Sequence, residues 1–180
     1  MDIFDKGFRE ILSSEIISVL GGLVAGVFLA VFTNQLLVIP GILILLPGFL
    51  EMRGNISGSL ASRLSSGLFL GVIKPDKIET NIIKGNLAAT FFLAIVISIV
   101  LGFVAFLFSF FTMGVLVFRI ILIPLVAGII ANGIEILLTL FFTFYLFRKG
   151  HDPNNIMGPF ITTTGDITSI VSLLVAMVVV

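Results

Sequence analysis

Residues 156–180 read IMGPFITTTGDITSIVSLLVAMVVV, an apolar run with one carboxylate, Asp166, near its middle. The run is long enough to cross a bilayer as a helix, because a span needs about 20 predominantly apolar residues. A charge at the bilayer centre costs roughly 2.5–3.5 kcal/mol. Such a residue is rarely kept without a partner, a water-filled cavity or a bound cation, so the run predicts a membrane helix with a functional acid.

The composition of the whole chain agrees with this interpretation. Of 180 residues 58% are hydrophobic and 11% are charged, with a mean hydropathy of +1.27. A soluble domain with this balance would have an apolar surface. We therefore predict one compact bundle over residues 1–180, a multi-pass protein of the cell membrane whose surroundings are the lipid bilayer.

Charge and reactive side chains exclude several function classes. The formal net charge is zero, so nucleic acid is not an expected partner. The absence of cysteine excludes disulfides, thiolate metal sites and cysteine nucleophiles. The single histidine, His151, cannot by itself build a zinc site or a Ser-His-Asp triad. We do not expect an enzyme.

Five apolar segments predict an all-α bundle of five transmembrane helices. Strand-type alternation is absent, which argues against a β-barrel. Glycine and proline are expected to interrupt three of the helices, at Pro47, Pro124 and Pro159 among other positions. Broken backbone at membrane depth is tolerated only where it is buried in protein or lines a water-filled cavity. The segments span about 16–37, 39–72, 83–111, 114–147 and 156–180.

The basic residues predict the orientation. The loops around residues 33–38 and 110–115 contain no Lys or Arg, whereas the other side of the predicted bundle collects seven of the ten basic residues. Because cytoplasmic loops carry an excess of Lys and Arg, the N-terminus is predicted in the cytoplasm and the C-terminus outside. The seven residues are Lys6, Arg9, Lys74, Lys77, Lys84, Arg148 and Lys149.

Polar residues recur at helical spacing inside three of these segments, so they fall on shared faces. Asn55 is predicted to lie about as deep as Asp166. The residues that share a face are Glu51, Asn55, Ser59 and Ser62 in the second segment, Asn132 and Glu135 in the fourth, and Thr162, Thr163 and Asp166 in the fifth.

Carboxylate, amide and hydroxyl oxygens are the ligands that hard cations such as Mg²⁺, Ca²⁺ and Mn²⁺ prefer. A pore can hold Mg²⁺ with one or two carboxylates, partly through the ion's hydration shell. One Asp166 per chain provides a single carboxylate for the ion. Two copies facing each other across a two-fold axis would provide two and make a better site.

Structural roles compete with these assignments. Glu51 can form an ion pair with Arg53 or Arg63, and Glu135 with a basic residue of another helix. Asn132 can join helices through hydrogen bonds. Asp152, before Pro153, has the position of a helix N-cap, although it can also bind a cation at the cytoplasmic mouth.

Two segments resemble a known family. Residues 47–67, PGFLEMRGNISGSLASRLSSG, resemble the second-helix signature of the MgtE-type magnesium transporters, above all in the solute carrier 41 branch. Residues 152–166, DPNNIMGPFITTTGD, resemble that family's last-helix signature, and the five-span plan matches as well.

The resemblance implies a dimer with a pore between protomers, lined by the second and fifth helices. It implies that Asp166 faces the pore and holds a largely hydrated Mg²⁺, with Asp152 near the cytoplasmic mouth and Asn55 near the ion path. Bacterial relatives carry a large cytoplasmic sensor, whereas about a dozen residues precede the first span here, so gating by such a sensor is not expected. A single copy of the domain would need to pair with itself or with a related half-size chain.

We therefore predict a domain that transports divalent cations, with Mg²⁺ as the transported ion and no resident cofactor. The sequence is compatible with a channel and with a sodium-coupled exchanger. A transporter of small organic solutes and a non-transporting membrane scaffold are the alternatives. The candidate metal ligands are Asp166, Asn55, Thr162, Thr163, Asp152, Glu51, Asn132 and Glu135.

Overall fold

The computed structural model describes residues 4–78 and 80–180, and within these residues the chain forms helices and no strands, which confirms the all-α prediction. Four of the six helices, the third to the sixth, form one packed group, and the first helix packs against the last. The helices are α1 (Lys6–Val31), α2 (Thr33–Leu36), α3 (Ile42–Phe69), α4 (Asn81–Met113), α5 (Arg119–Arg148) and α6 (Pro153–Val179).

Capping residues set where several helices begin. Asp5 before α1 and Thr80 before α4 each accept a backbone N–H with the side chain. The Asp152 carboxylate accepts from the backbone nitrogen of Asn154 at 2.9 Å. Pro153 takes the first position of α6, where its missing N–H has no intrahelical partner to lose. The N-cap role of Asp152 is confirmed.

The bounds differ from the predicted ones most at the N-terminus. The first helix was expected over 16–37, but α1 begins at Lys6 because Asp5 caps it, and it ends at Val31. The separate short helix α2 covers the remainder of that segment.

The helix interruptions predicted at Pro47, Pro124 and Pro159 are wrong. Helices α3, α5 and α6 run without a break through Pro47, Pro124 and Pro159. Each proline lies within the first two turns of its helix. The missing N–H therefore removes one hydrogen bond from the first turn and leaves the rest of the ladder intact.

The core lies among α3, α4, α5 and α6. Phe49 and Leu45 of α3, Ile123 of α5 and Leu173 of α6 are fully buried in its largest apolar cluster. Helix α1 is peripheral, since it packs mainly against α6. Its buried residues are Glu10, Ser14 and Ala25.

Large apolar side chains cover the outside of the bundle; Phe92, for example, is 69% exposed. Among the described residues, four helices are long and apolar enough to cross a membrane, namely α1, α4, α5 and α6. Helix α3 has 28 residues, which at 1.5 Å per residue gives about 42 Å. It carries three charged residues, Glu51, Arg53 and Arg63.

Candidate functional site

A groove of about 420 Å³ runs between α3 and α6 on the surface of the protomer. We call this groove the furrow. Small residues, Gly54 and Gly58 on α3 and Gly158 on α6, keep its floor open. Its other lining residues are Pro47, Leu50, Glu51, Arg53, Asn55, Ile161, Thr162 and Asp166.

The furrow brings together four of the residues predicted from sequence. Glu51 and Asn55 come from α3, and Thr162 and Asp166 come from α6. The amide nitrogen of Asn55 donates to the Glu51 carboxylate at 3.0 Å, one helical turn away. The Asp166 side chain is 27% exposed. Carboxylate, amide and hydroxyl oxygens therefore face one solvent-accessible space.

The furrow continues into a second groove of about 210 Å³. The two grooves share Gly58 and Gly158, and the second extends past Ser62 to Pro153 and Asn154 at the start of α6. A polar path thus follows the α3–α6 contact from Asp166 to the end of the bundle where α6 begins.

Arg53 closes the back of the furrow and is 1% exposed. Its Nε donates to the hydroxyl of Ser169 at 2.6 Å and its Nη1 to the carbonyl oxygen of Ile161 at 3.3 Å. Its Nη2 reaches one Asp166 carboxylate oxygen, Oδ1, at 3.5 Å. The partner of Asp166 within the protomer is therefore a basic residue of another helix.

Glu135 of α5 lies behind Arg53 and is fully buried. Its Oε2 is 3.8 Å from Arg53 Nη1, within ion-pair range but too far for a hydrogen bond, so this oxygen has no hydrogen-bond partner. Its Oε1 accepts from the hydroxyl of Thr168 at 3.2 Å. The alternative that Glu135 pairs with a basic residue of another helix is confirmed.

Gly165 makes room for the guanidinium. A Cβ built at this position would overlap Arg53 Nη1, Nη2 and Cζ. Only glycine therefore fits here while Arg53 keeps its place.

The other ion pair considered for α3 does not form. Glu51 contacts Asn55, whereas Arg53 faces Glu135 and Asp166. Arg63 donates to the hydroxyl of Thr90 on α4 at 3.0 Å. The reason is rotational: Glu51 and Arg53 are two residues apart and point to different sides of the helix.

Besides Glu135, three further candidate ligands lie outside the furrow. Thr163 turns toward α1, where its hydroxyl lies 3.4 Å from the Ser18 carbonyl, so the expectation that it shares the face of Thr162 and Asp166 is wrong. Asn132 is fully buried and donates to Gly128 of its own helix at 2.9 Å, and its Oδ1 has no partner. Asp152 lies at the start of α6.

Sequence reasoning missed a polar cluster where α1 and α6 begin. Glu10 accepts from His151 Nδ1 at 2.9 Å, from the Asn155 amide at 3.1 Å and from the Asp152 backbone at 3.4 Å. Lys6 Nζ is 3.7 Å from the same carboxylate. This cluster borders a pocket of about 450 Å³. The i, i+4 spacing of Lys6 and Glu10 was visible in the sequence, but the contact with residues 151–155 was not.

Within residues 4–78 and 80–180, no group of three or more His, Asp or Glu side chains is arranged to hold a metal ion. The furrow of one protomer therefore offers two carboxylates, those of Glu51 and Asp166.

A family model described as MgtE, divalent cation transporter, matches residues 46–176. The chain belongs to the MgtE family. The match contains every residue that lines the furrow, together with Glu135, and begins after α1 and α2. A search of curated proteins and a search of solved structures each found no match.

Membership in the MgtE family confirms the resemblance seen in residues 47–67 and 152–166. It supports divalent cation transport as the activity and a membrane as the location, and the family is one of transporters. The solute carrier 41 branch stays a prediction.

Proposed function

We propose that this MgtE-family chain transports divalent cations, with Mg²⁺ foremost, through a pore between two copies of residues 1–180. The observation that carries the proposal is the furrow, where Glu51, Asn55, Thr162 and Asp166 face one space of about 420 Å³. A furrow on the surface of one protomer becomes an enclosed path when a second protomer covers it.

The proposed bundle has five spans, with α3 as the fifth membrane-crossing helix. The Arg53 charge is buried inside the protomer, and Glu51 faces the furrow. Charged residues in membrane spans face the bundle interior or a water-filled cavity, and both positions meet this condition. With Lys6, Lys74 and Arg148 at one end, the N-terminus lies in the cytoplasm.

Two copies related by a two-fold axis would place two Asp166 carboxylates across the path. Two carboxylates in one space repel unless a cation lies between them. Mg²⁺ dehydrates reluctantly and usually keeps several waters, so Asn55, Glu51 and Thr162 hold its water shell. Asp152, which caps α6, lies at the mouth of this path, where it meets the entering ion. A related half-size chain can take the place of the second copy.

The residues outside the furrow have supporting roles in this scheme. Glu135 lies behind Arg53, and Asn132 lies within the bundle where α4 and α5 meet. Thr163 fixes α6 against α1, since a Cβ on Gly21 of α1 would overlap its side chain.

The contact between Arg53 and Asp166 favours one alternative function, that of a membrane scaffold. Because Arg53 reaches Asp166, the chain could be a membrane scaffold in which Asp166 is a structural ion-pair partner. We favour transport since only one Asp166 oxygen meets Arg53, over 3.5 Å, and the side chain is partly exposed to the furrow.

The deciding experiment is Mg²⁺ flux into liposomes that contain the purified chain and a Mg²⁺-sensitive dye. Asp166→Asn should reduce the flux at least tenfold, because the amide removes the negative charge that faces the furrow. The matched control is Asp76→Asn, in the exposed loop between α3 and α4, which should leave the flux unchanged.

Two results would contradict the proposal. No flux with the unaltered chain rules out transport by this protein alone. Equal flux with Asp166→Asn and the unaltered chain rules out Asp166 as the main electrostatic ligand and favours the scaffold.

A further inference from the structure

Arg53 places a permanent positive charge directly behind the carboxylate on which the proposed transport depends. Its shortest hydrogen bonds go to Ser169 and to the Ile161 carbonyl, at 2.6 and 3.3 Å. The contact with Asp166 is longer, at 3.5 Å, and involves a single carboxylate oxygen. The guanidinium is therefore held in place by groups other than Asp166.

The charges of this cluster do not cancel. Arg53 carries one positive charge, and Glu135 and Asp166 carry one negative charge each when ionised, so the three groups together have one net negative charge. Arg53 and Glu135 are 1% and 0% exposed, whereas the Asp166 side chain is 27% exposed. The remaining negative charge thus reaches the furrow through Asp166.

Glu135 opposes the effect of Arg53 on Asp166. It approaches Nη1, whereas Asp166 approaches Nη2, so the two acids share one guanidinium. Without Glu135, the full charge of Arg53 would act on Asp166 from inside the protein, where water screens it poorly.

We propose that Arg53 is a resident cation that competes with the transported divalent cation for Asp166, and that Glu135 sets how strongly it competes. This inference rests on the proposed function. A carboxylate that faces a pore without any nearby cation would bind a divalent ion tightly and release it slowly. Conduction requires binding that is weak enough for the ion to leave, and Arg53 provides that weakening.

The surroundings of residue 53 fit an arginine side chain better than a lysine. Its fork of N–H donors contacts α5 and α6 at the same time, which the point charge of a lysine does less well. Gly165 is needed for the approach, because a side chain there would overlap the guanidinium. Arg53 and Glu135 are thus positioning residues that act on the ion through Asp166.

The test measures the half-saturating Mg²⁺ concentration for flux in the same liposomes, for a set of charge variants. Glu135→Gln leaves Arg53 uncompensated and should raise this concentration about five- to tenfold, as expected for one added charge in a partly hydrated site. The double variant Arg53→Gln/Glu135→Gln removes both charges and should return the concentration to that of the unaltered chain or below it.

The free energy of unfolding and the maximal flux separate competition from a merely structural role. If Arg53 and Glu135 only hold the helices together, Glu135→Gln leaves a buried charge without its partner, which lowers the free energy of unfolding and the maximal flux. Competition instead raises the half-saturating Mg²⁺ concentration while the maximal flux stays the same. The matched control is Arg63→Gln on the same helix, since Arg63 contacts Thr90 and lies outside the furrow. It should leave the half-saturating concentration unchanged.

The outcomes distinguish this inference from the proposed function. If the unaltered chain carries no Mg²⁺, the proposed function fails. If it carries Mg²⁺ but Glu135→Gln saturates at the same concentration, or the double variant saturates no lower than Glu135→Gln, competition by Arg53 is wrong. Should Glu135→Gln not fold, Glu135→Asp moves the carboxylate away from Arg53 and should raise the concentration about twofold; an unchanged or lower value overturns the inference.

Discussion

Two acids of this protein, Glu10 and Asp166, have opposite surroundings. Glu10 is held by three hydrogen-bond donors and by Lys6, where α1 and α6 begin. Asp166 has one donor, Arg53, at 3.5 Å, and it borders the furrow. A carboxylate whose lone pairs are occupied joins elements of the fold, whereas an under-occupied carboxylate facing a hydrated space is available to a cation. Depth and charge alone do not make this distinction.

The largest effect on the Asp166 region should come from Gly165→Ala. The added methyl group overlaps the Arg53 guanidinium, which must leave its place between Glu135 and Asp166. We expect a loss of about 1–3 kcal/mol in unfolding free energy, as for other overpacked cores, and at least a tenfold loss of Mg²⁺ flux. Denaturant unfolding in detergent and liposome flux measure the two.

The control for Gly165→Ala is Gly133→Ala, a helical glycine of α5 whose added methyl group meets no atom within 4 Å. It should be neutral or slightly stabilising, because alanine favours helix. If the two variants are equally stable and equally active, the close approach of Arg53 to Gly165 is wrong.

A smaller effect is expected at the other acid. Glu10→Ala removes the acceptor of His151, Asn155 and the Asp152 backbone, and these donors lie near the surface where water can replace it. The unfolding free energy should fall by about 1–2 kcal/mol. The half-saturating Mg²⁺ concentration should stay the same in the flux assay. A shift of tenfold or more would mean that Glu10 also acts on the ion. The two acids would then not differ in function as their surroundings suggest.

The smallest effect should separate two neighbouring threonines of α6. Thr162→Val removes a hydroxyl from the furrow and should raise the half-saturating Mg²⁺ concentration about two- to threefold, the loss of one weak hydrogen bond to the water shell. Thr163→Val has the same chemistry on the side facing α1, and the concentration should not change. Equal responses would show that the furrow does not define the ion path.

Much of the fold could be predicted because the physical signal is strong. Long apolar runs specify membrane-length helices, and α4, α5 and α6 lie close to their predicted positions. The prolines misled the prediction, because a proline inside a helix usually breaks it, whereas Pro47, Pro124 and Pro159 lie within continuous helices. Asp5 was overlooked as a cap, which placed the start of α1 too late.

The sequence predicted which residues belong to the candidate site, but not which residues contact one another across helices. Helical spacing put Glu51 and Asn55 on one face and marked Asp166 as exceptional, and the furrow joins them. Spacing within one helix does not say which helix lies opposite, so the pairing of Asp166 with Arg53 was missed, and the basic partner expected for Glu135 was not named. A signal existed, because a basic residue within a membrane helix needs a partner, but Arg53 had been considered only as a partner of Glu51.

The peripheral position of α1 has a mechanical consequence. Most of its surface faces outward, and it packs mainly against α6, the helix that carries Asp166. Glu10 joins the two helices at one end, and Gly21 admits Thr163 farther along. A helix that is longer or shorter than the bilayer is thick tends to tilt. A tilt of α1 would move its contacts with α6, so the thickness of the surrounding lipid would affect the helix that carries Asp166.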